Sequence, residues 1–260
     1  MIAGFPCSAV IITRNEESNI ARAISSLKPL FTDIIVVDSM SRDNTVDIAE
    51  SCGARVVTVE WNGYGASRNY GSDQALHDWI FSLDADEEVD QRLLNSISTC
   101  DLTRGRSYLC KRVNHVGHRP IKFGPLHPEW KERLYHRRDH IWDNREVHEE
   151  LIGSGPMASV KLEGSIIHHA IESLDDYKEK MAHYASLSAR QWIKEDYKPG
   201  FLKRRFSAYY HFWKSYILQC GFLEGKLGLE LSLIRSDYAR LKIRRWLELK
   251  GGNHPISESF

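Results

Sequence analysis

Trp79-Ile80-Phe81-Ser82-Leu83-Asp84-Ala85-Asp86-Glu87-Glu88 is the stretch on which the fold of this chain turns. Its first half is a short apolar run of the kind that forms a buried strand, and its second half delivers two carboxylates separated by one small residue. Residues i and i+2 at a strand end point to the same side, so Asp84 and Asp86 can face one ligand. Paired oxygen donors suit Mg2+ or Mn2+, ions that commonly sit between carboxylates and substrate phosphates. An acidic strand-to-helix turn, complementing a helix N-terminus, would explain the stretch equally well by itself. The flanking sequence decides between them.

Upstream, the same kind of unit repeats. Ser8-Ala9-Val10-Ile11-Ile12-Thr13 is β-branched and apolar throughout, as a strand buried on both faces should be. Ile20, Ala23, Ile24 and Leu27 then recur at helical spacing, with Pro29 just beyond. A second strand, 33–38, ends in Asp38. A short helix over 45–52 stops at Gly53, a third strand covers 55–59, and a helix over 67–76 leads into the strand before Asp84. The order β-α-β-α-β-α-β predicts an α/β fold with a mostly parallel, doubly wound sheet. Ligands of such sheets bind outside the carboxyl ends of the strands. Those ends carry Thr13 and Glu16, Asp38 and Ser39, and Asp84 and Asp86, which together predict one polar cleft. Neither G-x-G-x-x-G nor the Walker P-loop occurs, so phosphate must be held by side chains and a metal rather than a glycine cradle.

Downstream the pattern changes. A short helix is expected over 90–98, strands over 107–113, 132–136 and 160–169, and a loop rich in His, Pro and Gly over 114–130. From Ser173 the chain reads as helical, broken at Pro199-Gly200, with a last helix over about 222–249. The expected division is a catalytic domain over 1–170 and a helical extension over 171–260. The catalytic domain would comprise a nucleotide-sugar half, 1–100, and an acceptor half, 101–170.

Composition narrows the function classes. Hydrophobic residues make up 42% of the 260 residues, enough for a large core. Lys plus Arg equals Asp plus Glu at 35 each, so no overall charge draws the chain to nucleic acid. The five cysteines are scattered without a C-x-x-C spacing, which predicts neither a zinc site nor a disulfide framework and suits a reducing cytoplasm. Met1 to Phe5 has no basic n-region, and no apolar run is long enough to span a bilayer. The C-terminal stretch 201–220 mixes aromatics with Lys203, Arg204, Arg205 and Lys214. That mixture fits packed helices with snorkelling cations, or a peripheral platform on anionic inner-membrane lipid.

Five stretches, in order, resemble the inverting, GT-A fold glycosyltransferases of family 2, and within them the bacterial lipopolysaccharide-core β-glucosyltransferases. They are Val10–Glu17, Val37–Thr45, Ala66-Ser67-Arg68-Asn69, Leu83–Glu87 and Val147-His148-Glu149. A weaker likeness runs through His168, Lys180 and Tyr184. The resemblance implies a GT-A, Rossmann-like sheet flanked by helices. It implies transfer of a single hexose, glucose favoured, from a UDP-sugar to a lipid-linked glycan, since the Q-x-x-R-W signature of processive members is absent. By the same likeness Thr13, Arg14 and Glu16 line the nucleotide pocket. Asp38, beside Ser39, recognises uracil or ribose, and Arg68 lies near base and diphosphate. Asp84 and Asp86 form the D-x-D pair, with Asp86 the direct ligand of Mg2+ or Mn2+, and His168 is a late addition to the metal or diphosphate. Arg14 stands where the family often has an aromatic residue. Glu149 is the implied general base, with Glu150 and Asp143 as rivals. The predicted location is the cytoplasm, peripheral on the inner membrane. Two other functions compete: a nucleotidyltransferase of related fold, which would carry glycine after the first strand, and a non-catalytic sugar-nucleotide or glycan-binding module, which would lose the D-x-D pair or the base.

Overall fold

The computed structural model describes residues 5–143, 149–153 and 158–251. Every side chain of β1 (Cys7–Thr13) is buried, because both faces of the sheet are covered. Ala9 and Ile11 enter one apolar cluster, and Val10 and Ile12 the other. Helix α1 (Ile20–Leu27) places Ile20, Ala23, Ile24 and Leu27 in the first cluster, fully buried as their spacing predicts. Each large aliphatic side chain so buried contributes about 1.5–3 kcal/mol. Strands β2 (Asp33–Asp38), β3 (Arg55–Thr58) and β4 (Trp79–Asp84) join β1 in the parallel order β3-β2-β1-β4. Helices α2 (Thr45–Ser51) and α3 (Tyr64–Gln74) make the crossovers.

Helix α3 begins three residues before the predicted Ser67 and takes in two glycines that explain its position. A Cβ at Gly71 would lie 2.4 Å from Val10 Cγ1 and 2.7 Å from Val37 Cγ2, so the helix rests directly on the sheet. A Cβ at Gly65 would lie 1.9 Å from the Asp143 carbonyl oxygen, so the first turn sits against the chain that leads to Glu149.

Beyond β4 the sheet becomes antiparallel. The acidic stretch does not run straight into a helix but turns back as β5 (Glu87–Val89), followed by α4 (Gln91–Thr99), which Asp90 caps by accepting from Leu93 N at 2.7 Å. Strands β6 (Arg106–Val116), β7 (Arg119–Pro120), β8 (Glu129–His136), β9 (His140–Trp142), β10 (Leu151–Gly153) and β11 (Ala158–Ile171) follow. The sheet continues β4-β8-β6-β11-β5, with β9 and β10 forming a separate pair. Although only Ala85 and Asp86 separate β5 from β4, β5 closes the far end of the strand order, pairing His168 with Glu87. That curl folds the acidic turn back onto β11.

The chain divides into two compact units, Met1–Val113 with Glu129–His169, and Asn114–Pro128 with Ala170–Phe260. The span 101–170, predicted as one acceptor half, is therefore split. Its loop 114–128 joins the helices because buried Glu224 accepts from Lys122 N at 2.8 Å, Phe123 N at 3.2 Å and Arg119 Nη2 at 2.8 Å. The second unit holds α5 (Leu174–Lys194), α6 (Phe201–Trp213) extended by a wide π turn over 214–218, and α7 (Lys226–Lys250). The last helix begins later than predicted, because Cys220 and Gly225 adopt positive φ around a 3-10 turn. Among the described residues no helix is long and apolar enough to cross a membrane.

Candidate functional site

The carboxyl ends of β1 and β2 are locked by their following loops. Thr13 pairs with Asp38 across the strands, and Ser39 N donates to Thr13 O at 2.9 Å. Asn15 N donates to Ser41 Oγ at 2.8 Å, Arg42 N to Asn15 Oδ1 at 2.8 Å, and Glu16 N to Thr45 Oγ1 at 2.8 Å. Asp38 is buried and accepts from Ser41 N at 3.0 Å and from the Ser41 hydroxyl. The hydroxyls of Thr13 and Ser39 are buried without a hydrogen-bond partner. Such orphaned groups cost about 1–3 kcal/mol each unless something satisfies them, so this edge is built to meet a polar ligand. Arg14 is exposed beside it, and Glu16 is half-buried.

Next to this edge lies a chain of buried charges. Arg68 donates from Nη1 to Ser82 Oγ at 2.5 Å and from Nη2 to Asp84 Oδ1 at 2.6 Å. Because α3 starts early, Arg68 stands one turn inside the helix, turned toward carboxylates rather than opening the N-terminus as predicted. On the other side of Asp84, Arg133 Nη2 meets Oδ2 at 3.0 Å and both Glu87 oxygens at 2.7 and 2.8 Å. Burial pushes the Asp84 carboxyl up, but Arg133 and then Arg68 outweigh it and hold the group well below the usual carboxylate range. Glu87, fully buried, is raised because desolvation exceeds the help from Arg133. With both oxygens engaged by guanidinium groups, Asp84 does not stand open toward a cation in the way its D-x-D position predicts.

Asp86 does. Its Oδ2 lies 3.1 Å from His168 Nε2, and His169 N donates to its carbonyl at 2.9 Å. The register of β5 with β11 makes this contact. The Asp86 carboxylate fits Mg2+ or Mn2+, ions held by one or two carboxylates when diphosphate oxygens and water supply the rest, and the imidazole of His168 is a softer donor beside it. Among the described residues no group of three or more His, Cys, Asp or Glu side chains could hold a metal ion.

Glu149 comes to the same place. Its Oε1 is 3.5 Å from Arg68 Nη2, the nitrogen that also binds Asp84. Asn69 anchors the approach to Glu149 by exchanging two 2.9 Å hydrogen bonds with the Trp142 backbone, and Arg68 lies over the Trp142 ring at 5.0 Å. Of the rivals, Asp143 N donates to Glu150 O at 3.0 Å, and Glu150 N donates to the Asp143 carboxylate Oδ1 at 3.1 Å. Val147 and His148 lie outside the described residues. Arg133, Glu87 and Ser82 were not singled out from sequence. An arginine inside the apolar run Leu134-Tyr135 was the available signal, since a charge on a buried strand requires a partner.

The model of the family described as "Glycosyl transferase family 2" matches residues 8–157. An uncharacterized glycosyltransferase of Rickettsia prowazekii is 28% identical over 97% of this chain and 91% of its own length. Another, from Rickettsia felis, is 30% identical over 87% and 84%. The lipopolysaccharide core biosynthesis glycosyltransferase LpsC of Rhizobium meliloti is 28% identical over 88% and 89%. Among solved structures, glucosyl-3-phosphoglycerate synthase from Mycobacterium tuberculosis, in complex with Mn2+, UDP and phosphoglyceric acid, aligns over 67% of this chain and 74% of its own at 23% identity and TM-score 0.44. The α/β sheet, its polar carboxyl edge and the match over more than half of the chain lead to one assignment: this protein is an enzyme of glycosyltransferase family 2.

Proposed function

We propose that the enzyme is an inverting, metal-dependent transferase that moves a single hexose, glucose favoured, from a UDP-sugar to a lipopolysaccharide-core or other lipid-linked glycan. The observation that carries this reading is Arg68 standing between Asp84 at 2.6 Å and Glu149 at 3.5 Å, which brings a carboxylate of the acceptor half beside the D-x-D turn. Asp38, with the unpartnered hydroxyls of Thr13 and Ser39, would take the uridine, and Arg14 and Glu16 would border it. Asp86 and His168 would hold Mg2+ or Mn2+. A bound cation of this kind offsets charge on the departing diphosphate. Asp84 and Arg68 keep the turn fixed beneath the diphosphate. The acceptor hydroxyl attacks the anomeric carbon on the face opposite UDP. The new C–O bond forms as the bond to the diphosphate oxygen breaks, and Glu149 takes the hydroxyl proton. The similarity to LpsC favours a lipopolysaccharide acceptor, and the aromatic-basic stretch 201–220 favours work at the cytoplasmic face of the inner membrane, against its anionic lipid.

The test is UDP release with Mn2+ or Mg2+ over a panel of UDP-glucose, UDP-galactose and UDP-N-acetylhexosamines. Glu149→Gln should lower transfer by roughly 10²–10⁴-fold while nucleotide binding persists. Full transfer by that variant would move the base to Glu150 or Asp143. An unchanged rate in Asp86→Ala would end the metal assignment.

A further inference from the structure

In an ordinary surface helix the apolar stripe faces the core. Helix α6 reverses this. It buries no residue fully, and its contacts toward α7 run through small or half-buried groups, with Ser236 Oγ donating to Ala208 O at 3.0 Å. Leu202, Phe206, Tyr209 and Trp213, spaced i, i+4, i+7 and i+11, share one face and are 70%, 52%, 67% and 58% exposed. The wide π turn that follows keeps Ile217 behind Trp213 on the same side. Contiguous apolar surface of this kind on a polar protein marks a contact site.

The charges identify the partner. Between Tyr197 and Leu223 the chain carries Lys198, Lys203, Arg204, Arg205 and Lys214 and no carboxylate, although Lys198 pairs with Asp196 just before the segment at 3.1 Å. On the helical wheel Arg205 flanks the stripe, where its aliphatic stem can lie along it with the charge outward, whereas Lys203 on the other flank lies over the Trp192 and Tyr197 rings at 4.9 and 5.0 Å and donates to the Tyr197 hydroxyl at 3.1 Å. A second copy of the chain docking through this face by a two-fold axis would set cations against cations, with no acid in the segment to offset them. An anionic lipid surface supplies both an apolar layer and the opposite charge.

We propose that α6 lies in the plane of an anionic membrane, with Leu202, Phe206, Tyr209 and Trp213 inserted among the acyl chains and Arg205 and Lys214 at the phosphate level. This rests on, and gives residues to, the membrane placement proposed above. Full-length protein is floated at low salt with phosphatidylethanolamine vesicles containing phosphatidylglycerol, and with phosphatidylcholine vesicles. Wild type should float only with the anionic vesicles and be released by salt. Phe206→Ser with Trp213→Ser should abolish flotation, and Arg205→Gln with Lys214→Gln should weaken it roughly thirtyfold, at about 1 kcal/mol per cation. All four positions are exposed, and UDP release from UDP-sugar without vesicles should be unchanged in both variants. Equal flotation with neutral vesicles, no flotation, or a dimer lost in Phe206→Ser with Trp213→Ser would overturn the proposal. Normal UDP release in those cases would leave the catalytic reading standing, whereas flotation without UDP release would sink that reading alone.

Discussion

Strands β4 and β8 carry ion pairs at both ends, and the two ends behave differently. At one, Asp78 meets Arg137 Nε at 2.9 Å and Arg138 Nη2 at 2.9 Å, and Asp139 pairs with Arg104 close by. At the other, Asp84 meets Arg68 at 2.6 Å and Arg133 at 3.0 Å, and Arg133 also holds Glu87. The distances are alike, so distance does not distinguish them. Exposure of the arginines does: the side chains of Arg138, Arg104 and Arg137 are 68%, 63% and 23% exposed and those of Arg68 and Arg133 are 3% and 4%, whereas Asp78 and Asp84 are alike at 28% and 24%. Pairs at the wet end are screened and exchangeable. At the dry end each charge depends on its partner, because leaving one alone in the interior costs several kcal/mol. The dry end is the candidate site, where geometry must be held fixed for transfer.

Breaking the dry end should have the largest effect. Arg133→Met removes the guanidinium that joins Asp84 to Glu87, leaving Arg68 on Asp84 at 2.6 Å and Arg112 on Glu87 at 3.5 Å, and should cost about 3–5 kcal/mol in denaturant unfolding at neutral pH. It should also flatten the acid side of the stability profile. The folded Asp84 carboxyl lies below its ordinary 3.8, so its contribution is complete above that value and is lost as pH falls through the depressed one. An unchanged acid limb in Arg133→Met would show that Arg68 alone holds Asp84.

Glu87→Gln should cost less, about 1–3 kcal/mol, because it keeps the shape and some of the hydrogen bonding. Its pH dependence has the opposite sign. Burial raises the Glu87 carboxyl above 4.5, so its contribution is greatest below 4.5 and declines as pH rises through the raised value. The stability gap between wild type and Glu87→Gln should therefore narrow with rising pH. A gap that widens would refute the direction of the shift.

The wet end should give the smallest effect. The hydrogen bond from Arg104 holds the Asp139 carboxyl down to about 2. In Arg104→Ala that value should climb toward the ordinary 3.8 in an NMR titration, with little change in unfolding at neutral pH. A large loss of stability there would erase the contrast between the two ends.

How much of this was legible beforehand follows from what each feature needs. The helix over Ile20–Leu27 and the strands ending in Thr13, Asp38 and Asp84 are written in apolar periodicity, which acts over a few residues. Asp38 and Asp86 could be placed at the strand ends for the same reason. Arg133 could not be linked to Asp84, 49 residues away, because nothing local states which strand follows β4 in the sheet. The loop 114–128 was misplaced similarly, since its partner is Glu224, about a hundred residues on. Gly65 and Gly71 were silent in sequence, yet they let α3 approach Asp143 and the sheet closely enough to carry Arg68 to the site.

The sequence alone therefore determined the order of strands and helices, the polar carboxyl edge and the residue types available there, because backbone periodicity and side-chain chemistry are local. Only the tertiary structure decided that Asp84 belongs to arginines and Asp86 to His168. That division arises because β5, two residues after β4, closes the sheet against β11 instead of continuing outward, and the curl chooses the partner of each carboxylate.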